Sequence, residues 1–147
     1  MTSRILFDTI TNSPEETESA GERLAGMIGD NKFVAMYGDL GAGKTAFVRG
    51  FVRELVPDAQ VCSPTYSIIN EYTSDTNKIC HIDAYRISDD DDLYSCGFYD
   101  YSDWLTVAEW SENIAFAVPA DHVEVRITQL DESRREICVS LVRGDCQ

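Results

Sequence analysis

The sequence predicts an α/β fold in one domain: a mixed sheet with helices on both faces. Three observations predict it. The apolar run Phe33-Val34-Ala35-Met36-Tyr37 leads into Gly38-Asp39-Leu40-Gly41-Ala42-Gly43-Lys44-Thr45 and then into a helical pattern, and the middle segment matches G-x-x-x-x-G-K-[ST] at every fixed position. Period-two alternation recurs later in the chain around polar turns, which reads as hairpins. A length of 147 residues is enough for one core and too short for a second. Parallel strands around the loop and antiparallel pairs towards the flanks follow.

Taken in order, residues 5–10 alternate weakly and predict a short strand at a sheet edge. Ser13-Pro14-Glu15-Glu16 combines an N-cap serine, proline at the first helical position and a capping-box glutamate, so a helix starts there. Thr17, Ala20, Gly21, Leu24 and Ile28 follow its period, and Gly29-Asp30-Asn31 stop it. A second helix, over 44–56, carries Val48, Phe51, Val52 and Leu55 on one face and is closed by Pro57. After the turn-prone Ser63-Pro64-Thr65-Tyr66, residues 68–72 and 79–85 form a hairpin about a polar turn at 74–77. The period of two puts His81, Asp83 and Tyr85 on one face, with Cys80, Ile82 and Ala84 on the other. Ser88-Asp89-Asp90-Asp91-Asp92 reads as the solvated acidic start of a helix, and 93–103 as a short helix with an irregular loop. Leu105-Thr106-Val107-Ala108-Glu109-Trp110 is an apolar strand ending in a carboxylate, with a short helix over 111–116 behind it. Residues 123–127 and 137–141 alternate on either side of Asp131-Glu132-Ser133-Arg134-Arg135, an antiparallel hairpin.

Composition narrows the chemistry. With 44% hydrophobic and 26% charged residues the chain is ordinary for a globular protein, and no apolar run approaches the roughly 20 residues of a membrane span. Met1-Thr2-Ser3-Arg4 lacks the apolar region of a signal peptide, so the expected location is the cytoplasm, with no membrane partner. The 5 cysteines are scattered, without C-x-x-C spacing, and predict neither a disulfide framework nor a zinc site. A balance of 12 basic against 26 acidic residues, net −14, opposes approach to a polyanion. Direct tRNA or other nucleic-acid binding by the chain alone is not expected. Positive potential must be confined to a small site, which suits a nucleotide.

The glycine-rich segment is the sequence of a phosphate-binding loop. Without a Cβ at Gly38, Gly41 and Gly43 the backbone can wrap until successive N–H groups converge on a phosphate, at a helix N-terminus whose dipole adds to the attraction. Lys44 can reach the β/γ-phosphates and the Thr45 hydroxyl can ligate Mg²⁺. Such an enzyme needs a further carboxylate, and Asp83 and Glu109 compete for the part. Glu109, at the C-terminal end of an apolar strand, is the better match to a metal-side acid, while Asp83 beside His81 can take either role. His81 itself reads as a strand histidine satisfied by a neighbour, Trp110 as packing, and Thr65 as a candidate nucleotide-sensing hydroxyl. Guanine-specific proteins of this kind carry N-K-x-D, whereas Asn77-Lys78-Ile79-Cys80 lacks the acid, which favours adenine.

The phosphate loop, then Ser63-Pro64-Thr65-Tyr66, His81-Ile82-Asp83-Ala84-Tyr85-Arg86 and Ala108-Glu109-Trp110, resembles in order the signature of the TsaE family, small P-loop ATPases of the bacterial tRNA threonylcarbamoyladenosine system. The resemblance spans nearly the whole chain. It implies a P-loop NTPase-like fold and an Mg²⁺-dependent ATPase of low intrinsic activity, activated by the partner proteins TsaB and TsaD in modifying tRNAs that read ANN codons. It implies that ATP or ADP contacts the loop from Gly38 through Asp39, Leu40, Gly41, Ala42, Gly43, Lys44 and Thr45 to Ala46. Thr11 and a basic residue of the last hairpin, Arg134 or Arg135, come near the nucleotide. Thr45 and Glu109 ligate Mg²⁺, Asp83 and Lys44 act with Glu109 in hydrolysis, and Trp110 matters for function. The chain departs from the pattern at Ala46, where the family often has threonine, and over the acidic stretch 89–103, which resembles only part of the family.

Two other readings compete. A small-molecule kinase needs a lid or an acceptor-binding insertion, and none is evident. A non-catalytic nucleotide-gated interaction module predicts that Asp83 and Glu109 are dispensable while nucleotide still changes partner affinity.

Overall fold

The structure, a computed structural model, describes residues 2–38, 43–62 and 68–144. Asp39, Leu40, Gly41 and Ala42 of the phosphate loop, and Ser63, Pro64, Thr65 and Tyr66, lie outside the described residues. The elements follow the chain as β1 (Thr2–Thr11), α1 (Pro14–Met27), β2 (Phe33–Gly38), α2 (Lys44–Leu55), β3 (Ile69–Thr73), β4 (Lys78–Asp83), α3 (Asp90–Ser95), β5 (Leu105–Glu109), β6 (His122–Gln129) and β7 (Arg135–Arg143). Short 3₁₀ turns at Phe98–Tyr101 and Ser111–Ala117 flank β5. They make one 7-stranded sheet in the order β1-β7-β6-β2-β5-β4-β3. Strand β2 is parallel to both its neighbours, β4 is parallel to β5, and the β3/β4, β6/β7 and β1/β7 pairs are antiparallel. The predicted mixed sheet is therefore present, with the phosphate-loop strand at its centre.

Alternation along the central strands splits the core in two. Val34, Met36, Ile79, Val107, Val125 and Val139 pack on one face under α1 and α2, while Phe33, Ala35, Ile82 and Ala108 face Leu93 of α3, Phe98 and Ile114 on the other. Both faces of the central strands are buried, as parallel strands require. Helix α1 starts as its sequence dictates: Ser13 Oγ accepts from the Glu16 amide at 3.2 Å, with Pro14 at the first helical position. In the reciprocal bond Glu16 Oε1 accepts from the Asn12 amide, one residue before the cap. Helices α1 and α2 cross in backbone contact at two glycines. A Cβ on Gly21 would sit 2.1 Å from the Phe47 carbonyl oxygen, and one on Gly50 would sit 1.9 Å from that of Glu18. No helix of the described residues is long and apolar enough to cross a membrane.

The strands of the last hairpin run one or two residues further at each end than their alternation indicated, and two other boundaries differ in ways that matter. Strand β1 runs the full length of Thr2–Thr11, because it pairs with β7 throughout and a bulge between Ile5 and Phe7 breaks the alternation that would have revealed it. Strand β4 stops at Asp83. Tyr85 therefore leaves the row shared by His81 and Asp83 and stands in an exposed turn.

Candidate functional site

Topology gathers the candidate residues before any side chain is considered. Strands β2, β4, β5 and β6 run in one direction, and β1, two antiparallel steps from β6, runs with them. Their C-terminal ends carry Thr11, Gly38, Asp83 and Glu109, and Thr11 pairs with Arg135 at the start of β7. All come out at the sheet edge where α2 begins, the edge at which open α/β sheets hold ligands.

Gly43 enters α2 with φ +93, a conformation that L side chains rarely adopt, so the glycine is required there. Lys44 follows at the first helical position and is 6% exposed. Its Nζ donates to the Gly38 carbonyl oxygen at 2.9 Å and lies 4.2 Å from the centroid of the Trp110 ring. Trp110 takes up that place because the backbone turns through φ 59 at the end of β5. Its ring also meets that of Tyr85, 4.9 Å away at 58°. Trp110 thus does more than pack: it covers the ammonium. Among the described residues Lys44 donates to a carbonyl and faces a π ring but forms no ion pair with a carboxylate, so a nearly buried cation faces the site with its charge open to an anion. An oligophosphate fits that charge. Thr45 and Ala46 follow in the first turn of α2, both partly exposed.

At the same sheet edge, the register of β4 and β5 sets Asp83 beside Glu109. The two carboxylates do not share one environment. Glu109 is 4% exposed, and its Oε2 lies 2.6 Å from Nε2 of His81, which is completely buried. His81 was read beside Asp83; its partner is Glu109. Nδ1 of His81 has no hydrogen-bond partner among the described residues, and the ring stacks on Tyr72 at 6.2 Å and 29°. Asp83 is half-buried, and its Oδ1 accepts from the Tyr85 amide at 3.0 Å. Burial raises the Asp83 carboxyl above its ordinary pKa, with the Glu109 charge acting in the same direction. The Tyr85 amide, Lys44 and His81 pull it back. Mg²⁺ fits this donor set. It is held by one or two carboxylates together with substrate phosphate oxygens, and among the described residues no cluster of three metal-ligating side chains competes as a self-contained metal site. A cation there would also offset the Glu109 charge, which adds to burial in raising the Asp83 carboxyl. The turn after β4 is held from below, since Asn113 Nδ2 donates to the carbonyl oxygens of Ala84 and Tyr85 at 3.0 and 3.1 Å. No pattern in the sequence pointed to Asn113.

Beside Gly43 a cavity of about 280 Å³ opens, lined by Asn12, Ser13, Thr17, Ala46 and Arg135 among others. Of the two arginines considered, Arg135 is the one at this cavity: its Nε and Cγ come within 3.7 and 3.8 Å of where a Gly43 Cβ would be. Arg134 is turned to solvent and held by Asp131, Nε to Oδ2 at 2.7 Å, because both belong to the tight turn between β6 and β7. That arginine keeps the Asp131 carboxyl low, at about 2. Of the pair Arg134 and Arg135, it is therefore Arg135 that lies at the cavity. Thr11 is buried and stands one step behind the cavity, its Oγ1 2.8 Å from that of Thr17, which lines it. Arg86 is exposed in the turn beyond Asp83. Burial pushes the Cys80 thiol up to about 12, which removes it from nucleophilic chemistry.

Comparisons with known proteins bear on the family and the fold. The family model described as threonylcarbamoyl adenosine biosynthesis protein TsaE matches residues 11–137. A protein of Rickettsia bellii named tRNA threonylcarbamoyladenosine biosynthesis protein TsaE is 34% identical over 86% of this chain and 90% of its own length. Proteins of the same name from Aquifex aeolicus and Bacillus subtilis are 34% and 31% identical, each over 90% of this chain and over 95% and 84% of their own lengths. The crystal structure of Bacillus subtilis YdiB superposes with a TM-score of 0.76 at 26% identity, covering 97% of this chain and 88% of that one. With a family model spanning from the end of β1 into β7 and relatives matched over most of both chains, this chain belongs to the TsaE family of threonylcarbamoyl adenosine biosynthesis proteins.

Proposed function

We propose that the chain is the ATP-binding and ATP-hydrolysing subunit of tRNA threonylcarbamoyladenosine biosynthesis, acting with TsaB and TsaD on tRNAs that read ANN codons. One observation carries the reading: a nearly buried Lys44 at the mouth of a glycine-led helix shares a sheet edge with two carboxylates in register, Asp83 and Glu109. The loop amides and Lys44 take the phosphates, with Lys44 giving up the Gly38 carbonyl and the Trp110 face. Arg135 and the cavity beside Gly43 take the rest of the nucleotide. Thr45 and Glu109 hold Mg²⁺, which when bound neutralises charge on the β- and γ-phosphate oxygens. Asp83 orients the water that attacks the γ-phosphorus; the bond from that phosphorus to the β,γ-bridging oxygen breaks, and ADP and phosphate leave. A carboxyl with a raised pKa is suited to accepting the water's proton.

The test is calorimetric titration with ATP, ADP and GTP in Mg²⁺, followed by turnover with and without TsaB and TsaD. Adenine nucleotides should bind in preference to GTP, and turnover should be slow alone and rise on adding the partners, since completion of such sites in trans reaches about 10³ to 10⁵ in rate. Equal affinity for GTP counts against the base preference, and turnover indifferent to the partners counts against the assembly. The kinase reading predicts phosphate transfer to a metabolite in a screen, and the non-catalytic reading predicts undiminished activity in Asp83 and Glu109 variants.

A further inference from the structure

The His81–Glu109 pair is more than core packing. His81 lies one strand pair behind Glu109, opposite Val107 in the β4/β5 register and on the same face, among Ile79, Val107 and the Tyr72 ring. An aliphatic residue would fill that place at no polar cost. A completely buried imidazole whose Nδ1 finds no partner among the described residues carries a desolvation penalty that one short bond to Glu109 must offset. That bond ties the ring to Glu109 Oε2. Asp83, next to Glu109 on the neighbouring strand, has no such support: its described partner is the Tyr85 amide.

Resting on the nucleotide reading above, we infer that His81 is a positioning residue for Glu109, fixing the carboxylate by its Oε2 so that Oε1 is presented to the metal of a metal–nucleotide complex. His81 touches neither nucleotide nor metal. Groups that orient a metal-ligating side chain typically change metal affinity by about 10- to 100-fold when lost. The metal-linked part of nucleotide affinity should therefore depend on His81, and the metal-independent part should not.

The experiment compares the parental protein with His81→Leu, His81→Gln and Glu109→Gln. ADP affinity is measured by calorimetry in EDTA and in Mg²⁺, and Mn²⁺ retained in the ADP complex is measured by paramagnetic resonance. His81→Leu should bind ADP in EDTA like the parent and lose about 10- to 100-fold in Mn²⁺ affinity within the ADP complex. His81→Gln, which keeps a donor near Nε2, should recover most of it, and His81→Leu added to Glu109→Gln should cost nothing further. Should His81→Leu fail to fold, ¹⁵N spectra of the parental ring decide: protonation at Nε2, with a shift on adding Mg²⁺–ADP well beyond that with ADP in EDTA, is expected, and protonation at Nδ1 overturns the inference. Parental Mn²⁺ affinity in a folded His81→Leu overturns the inference alone. Absence of any metal effect on ADP affinity in the parent overturns the nucleotide reading, and the inference with it.

Discussion

Lys44 donates to the Gly38 carbonyl and lies against the Trp110 ring, so a phosphate must compete with both contacts for its charge. Because charge-assisted bonds contribute about 1.5–3 kcal/mol, Lys44→Ala should weaken ATP and ADP by about 10- to 100-fold in a calorimetric titration. Undiminished affinity would place the phosphates elsewhere. Asp83 works in the opposite sense for stability. Its folded pKa lies above the unfolded value, so the folded state holds the proton more tightly. That contribution is present below the unfolded pKa and is lost as pH rises through the folded one. At neutral pH the ionised carboxylate is a mild burden on a half-exposed group. Asp83→Asn, which keeps an acceptor for the Tyr85 amide, should therefore leave the protein as stable or more so, by no more than about 0.5 kcal/mol, while slowing hydrolysis. Urea melts at pH 4 and pH 7 check the sign: the variant's advantage should grow with pH.

At the scale of elements, the site depends on how α2 is carried. Its N-terminus bears Lys44 and Thr45, and just beyond, at Phe47 and Gly50, it is packed closely against Gly21 and Glu18 of α1, with the Arg49–Glu18 ion pair at 3.0 Å on the rim. That partly exposed pair adds little, about 0–1 kcal/mol. The close approach matters more. Gly50→Ala puts a methyl 1.9 Å from the Glu18 carbonyl oxygen, which neither helix can accommodate without moving apart. A loss of about 1–3 kcal/mol, or more, should appear in the urea midpoint, together with weaker nucleotide binding as α2 shifts. A variant as stable as the parent would mean that the helices are not held at this crossing. Gly26, on the same helix α1 but with nothing near its missing Cβ, is the control: Gly26→Ala should be neutral or stabilising.

For the whole molecule the governing quantity is the net charge of −14. With 12 basic against 26 acidic residues, the summed charge repels an RNA backbone. In a filter-binding measurement at physiological salt the chain alone should retain no tRNA, and retention should appear only with the partner proteins present. High-affinity retention by the chain alone would overturn the division of labour proposed for the complex.

What was legible in the sequence is what depends on neighbours along the chain. The phosphate loop, the Ser13-Pro14 start of α1, the buried faces of both long helices, the two hairpins and the mixed sheet they imply could all be read, because local spacing sets caps, turns and strand or helix period. The family could be read for the same reason, its motifs being short and ordered. Long-range register lay outside that reach. Nothing local says that Asp83 pairs with Glu109 across β4 and β5, that His81 then reaches Glu109 rather than Asp83, or that β7 inserts between β6 and β1 so that Thr11 meets Arg135. Nor does it say that Arg134 spends itself on Asp131, or that Trp110 covers Lys44. These contacts join residues far apart in sequence, and the packing of the whole sheet decides which of several chemically equivalent partners each side chain can reach.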